Sequence, residues 1–239
     1  MVVAVGRSLI IPMRNEAGRI GATLSALAAS SVCEGDLELV LVDDGSTDGT
    51  ADAAEAALGA AGIAHGKVVR QGSNRGKGAA VREGMLLATG ANRVFVDADL
   101  SVTPEDVERC FRTLEDGRAD VVYGTRAHPD SRVVRRQPAL RVASGRAFNL
   151  WVRAIGLTAE RDTQCGLKGA TASAVADVVA PLTIDGFAFD VEMLVRAERA
   201  GLRTVAVPVR WAHVADSHVL PLRDGLAAAR AVRRLRSAH

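Results

Sequence analysis

Asp97 and Asp99 stand two residues apart, with Ala98 between them, directly after the apolar run 93–96. At that spacing both carboxylates can approach one divalent ion, or one can bind the ion and the other a ribose hydroxyl. Hard oxygen ligands select Mg²⁺ or Mn²⁺, which take one or two carboxylates and complete their shell with substrate phosphates. A diphosphate substrate is therefore implied. A second acidic cluster, Asp43-Asp44-Gly45-Ser46-Thr47-Asp48-Gly49, follows the apolar run 37–42, and a third polar cluster, Pro12-Met13-Arg14-Asn15-Glu16, closes the first one. Asn74-Arg75-Gly76-Lys77-Gly78 sets flexible backbone and two cations just before a helical pattern, and is expected to bind an anion at the helix N-terminus.

Such clusters act together only if the elements bring them to one edge. In open parallel α/β sheets ligands sit beyond the carboxyl ends of the strands. The sequence predicts strands over 8–13, 37–42, 67–71, 93–96, 119–124 and 204–209, and a short strand or turn over 166–171, alternating with helices over 17–30, 48–61, 76–89, 104–115, 138–155 and 188–200. That is the rhythm of βαβ units and of a mostly parallel sheet. Thr103 and Pro104 mark a helix start, whereas 127–138, with two prolines and several charges, reads as a loop. Residues 220–239 carry five Arg and one Asp with Leu222, Leu226, Ala229 and Leu235 on one side. This basic amphipathic helix is expected either to lie on an anionic membrane surface or to dock on the fold with a solvated basic face.

Competing motifs fail on context. The stretch 72–78 has only three residues between Gly72 and Gly76, and Gly78 stands where a P-loop needs Ser or Thr. The run from Asp44 to Glu55 formally resembles a calcium loop, but a β-branched run precedes it where an entering helix is required. Pro12 stands where a dinucleotide fingerprint needs glycine. Cys33, Cys110 and Cys165 are odd in number and widely spaced, which argues against a disulfide framework or a zinc knuckle.

The 239 residues are 48% hydrophobic and 24% charged, which excludes disorder and allows one sizeable core. No apolar run is long enough to span a membrane, and 1–6 do not read as a secretory signal, so a cytoplasmic protein is expected. Aromatics at 3% are too few for base-stacking platforms, so nucleic acid is not an expected partner. The charge is split: 1–120 hold 12 Lys and Arg against 18 Asp and Glu, while 121–239 hold 18 against 10. An acidic half suits a cation and a basic half an anionic partner.

Taken together, Ile10-Ile11-Pro12-Met13-Arg14-Asn15-Glu16, Val42-Asp43-Asp44-Gly45-Ser46-Thr47-Asp48-Gly49-Thr50, Asn74-Arg75-Gly76-Lys77-Gly78, Asp97-Ala98-Asp99 and Asp162-Thr163-Gln164-Cys165-Gly166-Leu167-Lys168 resemble the family 2 glycosyltransferases of the GT-A fold. The branch resembled contains dolichyl-phosphate glucosyltransferases and dolichyl-phosphate mannose synthases. Phe189-Asp190-Val191-Glu192 and Pro208-Val209-Arg210-Trp211 add matches to the glucosyltransferase side. The resemblance implies a single α/β domain of GT-A type, a mostly parallel central sheet flanked by helices. Residues 1–125 would form its nucleotide-sugar-binding half and 126–239 its acceptor-binding half.

By the same resemblance Pro12, Arg14, Glu16, Asp43, Asp44, Ser46 and Ala98 would line the nucleotide-sugar site, with Lys77 near the phosphates. Asp97 and Asp99 would be the metal pair, with Asp99 the direct ligand. Ser101 replaces a Gln that assists the metal in the mannose synthases. Arg126, Arg141 and Ser144 stand where relatives grip a polyprenyl phosphate, within a stretch from Arg126 to Arg153 that carries seven Arg and one Asp. Ser217 and His218 take the place of a Gly-Ser-Lys that relatives use near the acceptor, and His213 and His218 are candidate phosphate or metal contacts. A phosphate monoester arrives ionised and needs positioning more than a base. A hydroxyl acceptor would need one, and Asp190, Glu192 or Asp162 could serve.

The reading is an inverting, metal-dependent transfer of a hexose from a nucleotide sugar to a polyprenyl phosphate at the inner membrane face, carried by Asp99, Arg126 and Asp190. UDP-glucose is the first expectation for the donor and GDP-mannose the second. Two alternatives stand beside it: the same donor with a soluble natural-product or peptide acceptor, and a non-catalytic nucleotide-sugar or calcium-binding module.

Overall fold

A computed structural model describes residues 6–135, 137–214 and 221–237. A seven-stranded sheet runs in the order β3-β2-β1-β4-β7-β5-β8. Its strands are β1 (Arg7–Met13), β2 (Leu37–Asp43), β3 (Gly66–Arg70), β4 (Asn92–Val96), β5 (Val121–Thr125), β7 (Leu167–Thr171) and β8 (Thr204–Pro208). All neighbours pair in parallel except β7, which lies antiparallel between β4 and β5. The reversal brings the start of β7 to the edge where β1, β2, β4 and β5 end. Val96 pairs with Leu167, and the Asp97 amide donates to the Gly166 carbonyl at 3.0 Å.

Every residue of β2 is buried, because the sheet is covered on both faces. Leu39 and Leu41 face helices α1 (Ile20–Ala28), α2 (Thr50–Ala60) and α4 (Pro104–Glu115). Val40 and Val42 face α3 (Lys77–Leu87), α6 (Ala172–Val178) and α7 (Phe189–Arg199), with α5 (Ala139–Ala154) and α8 (Pro221–Ser237) completing that layer. Helix α4 starts where the sequence places it: Pro104 opens the first turn and the Thr103 amide donates to the Asp106 carboxylate at 3.1 Å.

One expectation is corrected, and two further points are added. The supposed loop 127–138 contains β6 (Arg132–Arg135), which pairs in parallel with β9 (Arg210–Ala212), so that Val133 lies beside Trp211. All four β6 residues are exposed, so no buried–exposed alternation marks the strand. Helix α6 follows β7 directly, its N-terminus capped by the Thr171 hydroxyl on the Ala174 amide at 3.3 Å. Helix α8 packs on α5 and α7, with Ala228, Val232 and Leu235 buried in the core, as the docked form of the C-terminal helix requires. Among the described residues no helix is long and apolar enough to cross a membrane.

Candidate active site

The ends of β1 and β2 are sewn together by hydrogen bonds. Asn15, at φ 55°, donates its amide to the Ser46 hydroxyl at 2.9 Å and accepts the Thr47 amide on its side chain at 3.0 Å. The Glu16 amide donates to the Thr50 hydroxyl at 2.7 Å. Asp43 accepts both the amide and the hydroxyl of Ser46. Asp44 accepts the amides of Arg75 at 2.6 Å and Gly76 at 2.9 Å; burial raises its carboxyl above the usual range despite those donors. Asp48 takes the Thr50 amide at 3.0 Å at the start of α2.

Asp43, Asp44 and Ser46 thus build a shelf, Pro12 sits half-buried behind it, and Arg14 projects outward. The half-buried Glu16 pairs with Arg19 at 2.9 Å. The calcium reading fails here, because strand β2 and not a helix leads into 44–55. No group of three or more His, Cys, Asp or Glu suited to a metal occurs among the described residues.

The anion site expected at the N-terminus of α3 is also corrected. The amides of Gly78 and Ala79 donate to the Asp185 carbonyl at 2.7 and 3.2 Å, and those of Arg75 and Gly76 are held by Asp44. These donors bind protein groups and leave the Lys77 side chain as the cation that enters the site. Its ammonium lies 2.6 Å from Asp97 and 5.9 Å from the ring centres of Phe95 and Phe189. Burial pulls the Lys77 ammonium down, but Asp97 and Asp190 outweigh it and hold its pKa up.

Asp99 accepts the Ser101 amide at 2.9 Å, and burial together with Asp97 raises its carboxyl. Two crowded carboxylates, one of them reluctant to ionise, fit a cation of hard-oxygen preference that takes only one or two protein ligands. Ala98 between them is buried, with its carbonyl accepting the Thr23 hydroxyl at 2.6 Å.

None of the three candidate bases is free. Asp190 is buried and accepts the Lys168 ammonium at 2.6 Å; burial raises its carboxyl although Lys168 and Lys77 oppose this. Glu192 is fully buried and takes the Thr183 amide at 3.0 Å, the Ile184 amide at 2.8 Å and the Arg196 guanidinium at 2.8 Å. It fixes the segment whose Asp185 carbonyl caps α3. Asp162 holds Arg126 through both oxygens at 2.6 and 2.8 Å, and that guanidinium outweighs burial to keep its carboxyl below the usual range.

Beside Arg126 opens a cavity of about 1010 Å³ between α5 and the β6–β9 ribbon. Arg126, Arg141, Arg146, Arg153 and Arg161 supply its charge, while Val133, Val142, Leu150 and Trp211 supply apolar wall. The Arg126 guanidinium lies over the Trp211 ring at 5.3 Å. Arg141 is brought to the cavity as expected. Ser144 is not: it is exposed outside the lining, and its hydroxyl donates to the Arg141 carbonyl at 3.0 Å. His213 stacks on Trp211 at 6.2 Å. Ser217 and His218 lie outside the described residues.

The model of Glycosyl transferase family 2 matches residues 8–175, most of the chain and every strand-end cluster of the first half. The chain belongs to the family 2 glycosyltransferases. The dolichyl-phosphate beta-glucosyltransferase of Drosophila melanogaster is 32% identical over 90% of this chain and 69% of its own length. That of Saccharomyces cerevisiae is 31% identical over 88% and 68%. Among solved structures, glucosyl-3-phosphoglycerate synthase from Mycobacterium tuberculosis, in complex with Mn²⁺, UDP and glucosyl-3-phosphoglycerate, superposes with a TM-score of 0.69. It covers 97% of this chain and 79% of its own at 20% identity, a likeness of fold: the GT-A arrangement.

Lys168 ends the 162–168 motif, but neither its place nor that of several arginines is legible in the sequence. Lys168 is wholly buried, against the usual habit of lysine, and only its partners 3 and 22 residues away explain it. Arg146, Arg153 and Arg161 stand in an arginine-rich stretch, where spacing alone does not separate cavity wall from solvated surface.

Proposed function

We propose that this family 2 glycosyltransferase moves glucose from UDP-glucose to a polyprenyl phosphate, with inversion at the anomeric carbon. The observation that carries the reading is the engagement of Asp162, Asp190 and Glu192 by Arg126, Lys168 and the 183–184 amides. A hydroxyl acceptor must lose a proton as it attacks, and none of these acids is placed to take it. A phosphate monoester attacks through an oxygen that is already ionised. The cavity beside Arg126 joins arginines to apolar wall, which suits an anionic head on a hydrocarbon chain.

In this reading Asp43 and Asp44 shape the nucleoside shelf, and Lys77 meets the donor phosphates. Asp97 and Asp99 hold Mg²⁺ or Mn²⁺. When bound, the ion neutralises the charge that grows on the departing diphosphate. Arg126, held by Asp162 and laid over Trp211, orients the acceptor phosphate; positioning of this kind replaces the entropy of a chance encounter. Glucose is assigned because the relatives are glucosyltransferases, and UDP because it is the nucleotide bound in the solved structure that shares the fold.

Calorimetric titration of UDP, GDP, UDP-glucose and GDP-mannose, each with and without Mn²⁺, tests the donor half. Metal-dependent preference for the uridine ligands is expected; preference for the guanosine ligands shifts the donor to GDP-mannose. Binding of none of them by folded protein sinks the donor assignment.

A further inference from the structure

Lys168, the second residue of β7, has no exposed surface, and its ammonium is bonded to Asp190 and to the Cys165 carbonyl. Burying an ammonium and a carboxylate together costs several kcal/mol in desolvation, and a well-packed apolar pair often does as well or better for stability. The pair therefore calls for an account other than stability.

Its geometry supplies one. The Lys168 ammonium donates to the Cys165 carbonyl at 2.8 Å and to Asp190 at 2.6 Å. The residue after Cys165 is Gly166, whose carbonyl accepts the Asp97 amide at 3.0 Å. Gly166 also lies against the Asp97 side chain so closely that a Cβ there would stand 2.0 Å from Oδ2. The turn 165–166 is thus the wall on which the Asp97 carboxylate rests, and Lys168 ties that wall down. On its other side Lys168 holds Asp190, the residue after Phe189, whose ring lies 5.9 Å from the Lys77 ammonium that pairs with Asp97 at 2.6 Å. The Phe95 ring lies 5.8 Å from the Lys168 ammonium and 5.9 Å from that of Lys77, packing the two cations against one scaffold.

We propose that Lys168 is a positioning residue for the donor site: it fixes the 165–166 turn, and through it Asp97, while holding Asp190 at the start of α7. The inference rests on the assignment of Asp97 to the metal-bound donor. Partners one step behind metal-binding groups typically carry roughly 10- to 100-fold in affinity or activity.

The test uses Lys168→Met, Lys168→Arg and the double variant Lys168→Met/Asp190→Leu, which removes both buried charges and preserves the fold if the single variant does not. Calorimetry with UDP in the presence and absence of Mn²⁺ is expected to show Mn²⁺-dependent UDP binding weakened about 10-fold or more in Lys168→Met and in the double variant. Tm falls in Lys168→Met, which strands the buried Asp190 carboxylate, and stays nearer that of the parent in the double variant; metal-free UDP binding by the folded variants stays near that of the parent, and Lys168→Arg recovers part of the loss. Parent-like Mn²⁺-dependent binding in the folded double variant overturns the proposal, because neutral packing then suffices. A crystal structure of the double variant without ligands separates this inference from the donor reading. Displacement of the 165–166 turn and of Asp97 is expected, and an unmoved Asp97 overturns the proposal whichever nucleotide the parent binds.

Discussion

Asp162 grips Arg126 three times, with its two oxygens on the guanidinium at 2.6 and 2.8 Å and a third hydrogen bond from the Arg126 amide at 2.8 Å. The 35 residues between them include the ribbon strand β6 and helix α5, and both partners line the cavity beside α5. A fork held from one side, with Trp211 beneath it, has few directions left in which to meet an anion.

Arg126→Lys keeps the charge and loses the fork. One charge-assisted hydrogen bond is worth about 1.5–3 kcal/mol, so the acceptor KM is expected to rise about 10- to 100-fold. UDP affinity stays as it was. Steady-state kinetics in polyprenyl phosphate together with UDP calorimetry reads both, and a loss of UDP binding would remove Arg126 from the acceptor side.

Gly166→Ala places a methyl group where Asp97 Oδ2 now lies, 2.0 Å from the ideal Cβ. The carboxylate must rotate away. Mn²⁺-dependent UDP binding is expected to fall at least about tenfold, as for other supports of a metal ligand. Calorimetry beside a thermal melt shows whether binding falls further than stability.

Gly45→Ala is expected to act on the fold and the donor shelf together. Gly45 has φ +65°, and a Cβ would stand 2.5 Å from the backbone of Ser73 and Asn74, which cannot swing aside as a side chain can. The left-handed conformation alone costs an alanine about 1 kcal/mol, and the clash adds to it. Urea unfolding should show a loss of more than about 1 kcal/mol, with weaker nucleotide binding.

At the opposite end of β2 from the site, Glu38 sets a pH dependence. Burial pushes its carboxyl up, but the Lys67 ammonium at 2.8 Å, the Ser8 hydroxyl at 2.6 Å and the Thr89 amide at 2.6 Å outweigh this and hold it at about 2. A carboxyl lowered on folding stabilises the protein above its ordinary pKa, and that contribution fades as pH falls toward the folded value. Between pH 4.5 and about 2 the parent is expected to lose Tm faster than Glu38→Gln, as thermal melts at stepped pH would show.

Local signals carried the sheet. The all-buried run of β2 and the Thr103-Pro104 start of α4 need only their neighbours in sequence, and both are where reading predicts them. The strand-end clusters followed, since parallel βαβ units fix which ends meet. What stayed illegible is non-local. The donors at the start of α3 look open to an anion until the Asp185 carbonyl arrives from over 100 residues away. Asp190 and Asp162 look like bases until Lys168 and Arg126 are seen on them. Strand β6 has no buried side to betray it, and its partner β9 is three residues long.

In the proposed reaction the acceptor arrives as an ionised phosphate. Purified protein given UDP-glucose and Mn²⁺ should be assayed for glucosyl transfer onto a polyprenyl phosphate and, in parallel, onto the corresponding polyprenol. Transfer to the phosphate, with none to the alcohol, is the predicted result. Equal transfer to the alcohol would mean that a base is at hand after all and would contradict the account.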